Sequence, residues 1–307
     1  MKVRPFRFCR HQWLVLPDGS GGDAEIRSPG RRKERTRAMV PLLGDILQFI
    51  ETKVPSFAAE EWDNCGLQVG DMSTRIEKLL VALDPSLDAV REASKINAQL
   101  LITHHPLIFR PLSQIDLETY PGRIISESLN KGICIVALHT NLDTVRGGIN
   151  DILADLLDLE NARILKKKEQ ANIDDMGLGR IGDLPAETTL NEIAREIKNL
   201  LKAQSVKVVG DANRHIKRVA VVGGSGGDMV SFASSMGADL LVTGDISHHQ
   251  ALEAEQVGIA LVDGGHYNTE KVALGVFSRR LRNWLKENGW QVGVEEFEGE
   301  SEPAWYV

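Results

Sequence analysis

From Lys78 onward, short unbroken apolar runs alternate with segments whose apolar positions recur every three to four residues. The unbroken runs predict buried strands and the spaced segments amphipathic helices. "KLLVAL" (78–83), "QLLIT" (99–103) and "ICIVAL" (133–138) are strands on this pattern. Helices fall between them over 86–96, with Ser86 as N-cap, and over 122–132, ended by Gly132. Farther on, "KRVAVVGG" (217–224), "DLLVT" (239–243) and "IALVDGG" (259–265) predict strands, separated by helices over 227–237 and 247–258. Strands that are apolar throughout and joined by helices imply a mainly parallel sheet covered on both faces. Ahead of them, Leu42, Ile46, Phe49 and Ile50 fit one face of a helix that starts behind Pro41.

The two series follow the same order and align. At an offset of 140, Leu80 maps to Ala220, Leu100 to Leu240 and Thr103 to Thr243. After the next helix the offset is 126, taking Gly132 to Gly258 and Ile133 to Ile259; at 127, His139, Asn141 and Asp143 meet His266, Asn268 and Glu270. The chain is therefore expected to be α/β, with two pseudo-repeated three-layer halves and mainly parallel sheets. The halves are placed at 39–160 and 161–307. The second includes a strand–helix–strand piece near 178–210, with Pro185 marking its turn.

Composition changes this picture at one end. Residues 1–38 hold ten basic and four acidic residues, a net +6, so the rest of the 307-residue chain carries −13 of the total −7. The segment lacks strand or helix period and contains "PDGSGGD" and "RRKERTR". It is expected to be a disordered extension or a mis-assigned start ahead of Met39. The acidic remainder argues against a nucleic-acid surface. No apolar run is long enough to span a bilayer. Three scattered cysteines, with no paired spacing and no secretory signal, predict a cytoplasmic protein.

Ligand crevices of parallel α/β sheets lie at the carboxyl ends of the strands. Six of the eight histidines fall in four loops at such ends: His104 and His105, His139, His248 and His249, and His266. Asp143, Asp245 and Glu270 share these loops. Imidazole and carboxylate suit Zn, Mn, Fe, Co or Ni. Adjacent histidines on an extended segment point apart, so His104 and His105 can each serve one ion of a pair. His266 and Glu270, four apart, share a face if a helix begins there. Three histidines and two carboxylates suffice for two divalent ions with positions left for water. Weaker signals are the glycine run around Gly224, Ser225 and Gly226, which can cradle phosphate or simply turn the chain. Asp63 and Asn64 in "EEWDNCGLQVGD" either present polar groups to the crevice or build a turn.

Together "EEWDNCGLQVGD", "LLITHHPLIF", "ALHTNLD" and "GDISHHQALEAEQVGIALVDGGHYNTE" resemble the Nif-three-like dinuclear metal proteins, often named GTP cyclohydrolase 1 type 2 homologs. The resemblance runs over about residues 39 to 300. It implies two interlocked α/β domains, a two-metal site in the cleft between them and a toroidal homohexamer. Matched by motif, the metal ligands would be His104, His105, Asp143, His266 and Glu270, with His139 and His249 behind the ligands or facing the substrate. The segment 161–217 is too short for the extra domain that some members carry. The cyclohydrolase name implies hydrolytic attack at C8 of a guanine ring, then hydrolysis of the formamide. The expected function is a metal-dependent hydrolase of a nucleotide or purine heterocycle, with His249 as a proton shuttle. The alternative, from another class, is a metal-binding regulatory or scaffold protein of ring-shaped assembly without turnover.

Overall fold

The computed structural model describes residues 39–168 and 175–305; the expectations for residues 1–38 lie outside the described residues. In chain order the elements are α1 (Leu43–Glu51), β1 (Gly66–Val69), β2 (Lys78–Ala82), α2 (Leu87–Lys95), β3 (Leu100–Thr103), α3 (Tyr120–Lys131) and β4 (Cys134–Ala137). Then follow α4 (Thr140–Thr144), α5 (Ile149–Leu156), β5 (Glu160–Lys167), β6 (Gly177–Thr189), α6 (Leu190–Leu200) and β7 (Lys207–Val209). The last are β8 (His215–Ser225), α7 (Val230–Ser235), β9 (Leu240–Gly244), α8 (His248–Val257), β10 (Ala260–Asp263), α9 (His266–Glu287) and β11 (Gly293–Glu296).

Local signals set many of these boundaries. The Ser86 hydroxyl accepts the Ala89 N–H at the start of α2. Thr189 and Ser247 form capping boxes with Glu192 and Gln250 at the starts of α6 and α8. Gly132 and Gly258 end α3 and α8 in the left-handed conformation that costs glycine nothing.

The strands make a five-stranded sheet, ordered β1-β4-β3-β2-β11, and a six-stranded sheet, ordered β5-β6-β8-β9-β10-β7. The repeat holds to the level of register. Val81 pairs with Ile102 in the first sheet, and Val221 with Val242 in the second, each 140 residues on. Likewise Ile102 pairs with Val136 and Val242 with Val262. Strand alternation divides the core. Leu79 and Val81 point into a cluster that spans both halves and includes α9, while Leu80 and Ala82 pack outward under α2 and α3. In the second half, Val219 and Val221 face the shared cluster and Ala220 and Val222 face α7 and α8.

Three details refine the expected α/β pattern. The second sheet is mixed: β8, β9 and β10 run parallel, but β5, β6 and β7 join by antiparallel pairing. Strands outside the βαβ units have no crossover helix to force parallel direction. Pro185 does not end a strand, because β6 continues past it to Thr189. The register against β8 shifts between Asp183 and Thr188, around the residue that lacks a donor. The partition at residue 160 also does not follow the sheets. β11 returns from the second half to pair with β2, and α5 packs on β6, β8 and α9.

Candidate metal centre

His104 and His105 stand just beyond β3, where Thr103 ends the strand and its hydroxyl donates to the His105 carbonyl at 2.7 Å. His139 precedes α4 and Asp143 lies within it; His266 and Glu270 occupy the first five residues of α9. The carboxyl ends of the parallel strands in both sheets thus deliver their polar residues to one place.

Each imidazole is held through Nδ1 by an oxygen. His104 Nδ1 donates to the Leu138 carbonyl (2.9 Å), His105 Nδ1 to Asp84 Oδ1 (2.8 Å), His139 Nδ1 to Asp63 Oδ1 (2.8 Å) and His266 Nδ1 to Asp245 Oδ2 (2.7 Å). Carbonyls and carboxylates only accept, so Nδ1 carries the proton and Nε2 presents its lone pair inward. Glu270 is the hub. Its Oε1 lies 3.4 Å from His104 Nε2 and 3.2 Å from His266 Nε2, and its Oε2 lies 3.2 Å from His105 Nε2. Asp143 Oδ1 is 3.7 Å from His104 Nε2, and the Nε2 atoms of His105 and His266 face each other at 3.3 Å.

These donors fit a cation better than they fit one another. His104 Nε2, Asp143 Oδ1 and Glu270 Oε2 are buried and make no hydrogen bond. Buried polar atoms without partners are costly, and a shared divalent cation is the partner that the chemistry of this donor set fits. Among the described residues, two groups have potential ligand atoms mutually within 4.8 Å: His104, His105 and His139, and His105, His266 and Glu270. His105 belongs to both. His139, expected behind the ligands or toward the substrate, is therefore close enough to ligate.

The histidines and carboxylates set one another's protonation. Hydrogen bonding to Glu270 leads in holding His266 up at about 9 against burial. Burial opposes the charged form of His105, yet Asp84 and Glu270 outweigh it and raise the group to about 10. His104 is also raised, because Asp143 and Glu270 outweigh its burial. Burial pushes Asp143 up to about 6, whereas at Glu270 the three histidines overcome burial and keep the carboxylate ionised. A divalent ion supplies the same positive charge to the same atoms.

The weaker sequence signals resolve differently. Asp63 does not face the crevice. Its carboxylate orients His139 and accepts Thr140 N–H (3.1 Å), Thr140 Oγ1 (2.5 Å) and Cys65 Sγ (3.0 Å). Burial works against that charge, but these bonds hold Asp63 far below the usual carboxylate range. Burial and Asp63 together push the Cys65 thiol up to about 12, so it stays protonated. Asn64 Nδ2 donates to the Ile108 carbonyl and ties its segment to the loop after β3. The glycine run is no phosphate cradle at Gly224 and Gly226, whose N–H groups are spent on Thr269 Oγ1 (3.0 Å) and Thr243 Oγ1 (2.8 Å). Gly224 has φ +65°, and a Cβ there would collide with Glu270 Oε1, so the glycine makes room for the carboxylate. His249 is exposed on α8 beside His248 and is not among the residues lining the cavity over the centre.

That cavity, about 1020 Å³, is lined by His105, His139, Asp143, His266, Glu270 and Ser225. Trp62 and Phe109 form one wall, with ring centroids 5.6 Å apart and Trp62 at 6.0 Å from the His139 ring. Lys166, Lys167 and Lys168 line it as well. Sequence reasoning passed over Phe109, the lysines, and the anchoring of His105 by Asp84. An apolar residue or a surface lysine carries no periodic signal for a cavity that another segment closes.

The model of the Duf34/NIF3 (NGG1p interacting factor 3) family matches residues 41–303. A "GTP cyclohydrolase 1 type 2 homolog" of Clostridium acetobutylicum is 35% identical over 245 residues, 80% of this chain and 91% of the relative. One from Clostridium perfringens is 37% identical over 243 residues, 79% of this chain and 92% of the relative. Among solved structures, a Bacillus cereus protein related to NIF3 superposes with a TM-score of 0.83 at 26% identity, covering 88% of this chain and 100% of the other. A Staphylococcus aureus hypothetical protein gives 0.82 at 32% identity, covering 87% and 100%. A family match spanning both halves, with relatives above 30% identity over most of their own length, leads to one conclusion: the chain belongs to the Duf34/NIF3 family.

Proposed function

We propose that the chain is a divalent-metal-dependent hydrolase acting on a nucleotide or related purine heterocycle. The observation that carries this is the convergence of His104, His105, Asp143, His266 and Glu270, three of them with buried atoms lacking partners, beneath an aromatic-walled cavity that all but the buried His104 line. Two divalent ions held there would polarise the bond under attack and lower the pKa of a water. The protein's own residues do the rest. Leu138 O, Asp84 and Asp245 fix the ring orientation of His104, His105 and His266, so the ligand set is organised before binding. Trp62 and Phe109 offer flat apolar faces to a heterocycle. Lys166 and Lys168 bring positive charge to the cavity lining. His139, fixed by Asp63, is the cavity group placed to hold or move a proton. The names of the relatives, GTP cyclohydrolase 1 type 2 homologs, agree with this substrate class.

A second reading, a metal-dependent assembly without turnover, draws on a different observation. The loop from β3 to α3 exposes Phe109, Leu112, Ile115 and Leu117, with Tyr120 at the helix start. Such a run suits self-association, as in the homohexamer expected from the family.

The test is incubation of metal-loaded protein with GTP, other purine nucleotides and cyclic amides, following ring opening and formate release. Turnover that chelation abolishes, and that Trp62→Ala weakens through a several-fold higher KM, supports the hydrolase. Absence of turnover on every substrate, with oligomer size changing on metal removal, favours the assembly.

A further inference from the structure

Four segments meet behind the metal centre in a closed circuit of contacts. Glu270 Oε2 lies 3.2 Å from His105 Nε2, and His105 Nδ1 donates to Asp84 Oδ1 at 2.8 Å. The N–H groups of Leu83 and Asp84 both donate to Glu300 Oε1 at 2.8 Å. Glu300 Oε2 accepts Lys271 Nζ at 2.9 Å, and Lys271 follows Glu270 on α9. Lys271 Nζ also donates to the Phe297 carbonyl at 2.8 Å, so the segment after β11 is gripped twice. The Glu300 side chain is only 6% exposed.

We propose that Glu300 is a positioning residue for the metal centre. One buried carboxylate, from a segment more than 200 residues from Asp84, ties the strand end that orients His105 to the helix that carries Glu270. Leu83 and Asp84 lie just past the end of β2, where the ladder no longer holds their N–H groups; Glu300 supplies the acceptor. With those two amides fixed, the Asp84 side chain is held in place to orient His105. Through Lys271, the same carboxylate sets the first turns of α9 against that strand end. The alternative, that Glu300 only docks the C-terminal segment, predicts lost stability with an unaltered metal site.

This inference rests on the metal reading of the site, and the experiment separates the two. Full-length protein is stripped with chelator and titrated with Co²⁺, following the visible absorption band and the dissociation constant. Wild type is expected to bind with a defined band. Glu300→Ala is expected to weaken Co²⁺ binding about tenfold or more, the range seen when support of metal ligands is lost, and to shift the band. Glu300→Gln keeps the acceptor for the two amides and is expected to recover most of the affinity. Lys271→Met removes the link to α9 together with the Lys271 contacts to Phe297 and Glu296, leaves the two amide bonds of Glu300 in place and gives an intermediate loss, which serves if Glu300→Ala does not fold. Wild-type affinity and band in folded Glu300→Ala, or in Lys271→Met when the alanine variant is unfolded, overturn the positioning role. Absence of Co²⁺ binding in the wild type overturns the metal reading itself, and this inference with it.

Discussion

The two halves share a scaffold and differ at its business end. β2-β3-β4 and β8-β9-β10 pair in the same parallel order at matching positions. Just past β3 the chain places His104 and His105; the equivalent residues of the second half are Gly244 and Asp245. Gly244 is there for space, since a Cβ would collide with the backbone of His266 at the start of α9. Asp245 does for His266 what Asp84 does for His105. The later pair is alike again: His139 and Asp143 stand four apart at α4, as His266 and Glu270 do at α9. The lesson is that a duplicated scaffold need not yield two sites. One half supplies two histidines from its strand end; the other gives up that position so its helix can approach.

Breaking the comparison at its hub has the largest expected effect. Glu270 approaches His104, His105 and His266, so on the proposed metal reading Glu270→Ala should lose bound metal altogether, while Asp143→Ala, which approaches His104, should retain part of it. Elemental analysis of the two proteins decides; equal loss would show that the halves contribute alike.

Next comes the lock between the halves. Arg180 on β6 is fully buried, pairs with Asp151 and donates to the Val145 carbonyl (3.1 Å) beyond α4 and to the carbonyls of Gly177 (2.9 Å) and Gly179 (2.8 Å). Removing one partner of a buried ion pair strands the other, so Arg180→Met should cost about 3–5 kcal/mol of stability, read by denaturant unfolding. A cost below about 1 kcal/mol would mean that apolar packing alone holds α4 and α5 on the second sheet.

A smaller effect tests the orienting carboxylates against each other. Asp84→Asn and Asp245→Asn should each weaken metal binding about tenfold by loosening one imidazole. If only Asp84→Asn does so, the second half is not organised as the first is.

The mildest perturbation is pH. In metal-stripped protein His105 and His266 sit above their ordinary value of 6.5, at about 10 and about 9. Groups raised on folding stabilise fully below about 6.5, and that contribution is lost as pH rises through 9 to 10. The Tm of stripped protein should therefore fall over that window, and added divalent ion should flatten the fall by replacing the protons. A Tm independent of pH there, with or without metal, would contradict the electrostatic account.

Legibility followed the range of the interactions. α2, α3 and α8 were readable because Ser86, Gly132, Ser247 and Gly258 act on their own turns. β5 and β11 were not: "ENARILKK" is mostly polar, and β11 is only four residues long. Each is a strand because of its neighbour, β6 or β2. The candidate site residues were legible as clusters at strand ends, but what supports them was not: Asp84 and Glu300 come from another loop and from far along the chain, and nothing local tied Asp63 to His139.

By itself the sequence determined the α/β repeat, the register offset between its halves and the set of histidines and carboxylates able to take a metal. Those follow from periodicity, spacing and side-chain chemistry, which are local. Only the tertiary structure decided that Glu270 is the hub, that His139 comes near enough to ligate, that His249 stays outside the cavity and that Glu300 closes the circuit behind the site. These depend on pairings and packing across the whole chain, and a buried atom's partners are fixed only when the core that excludes water has closed around them.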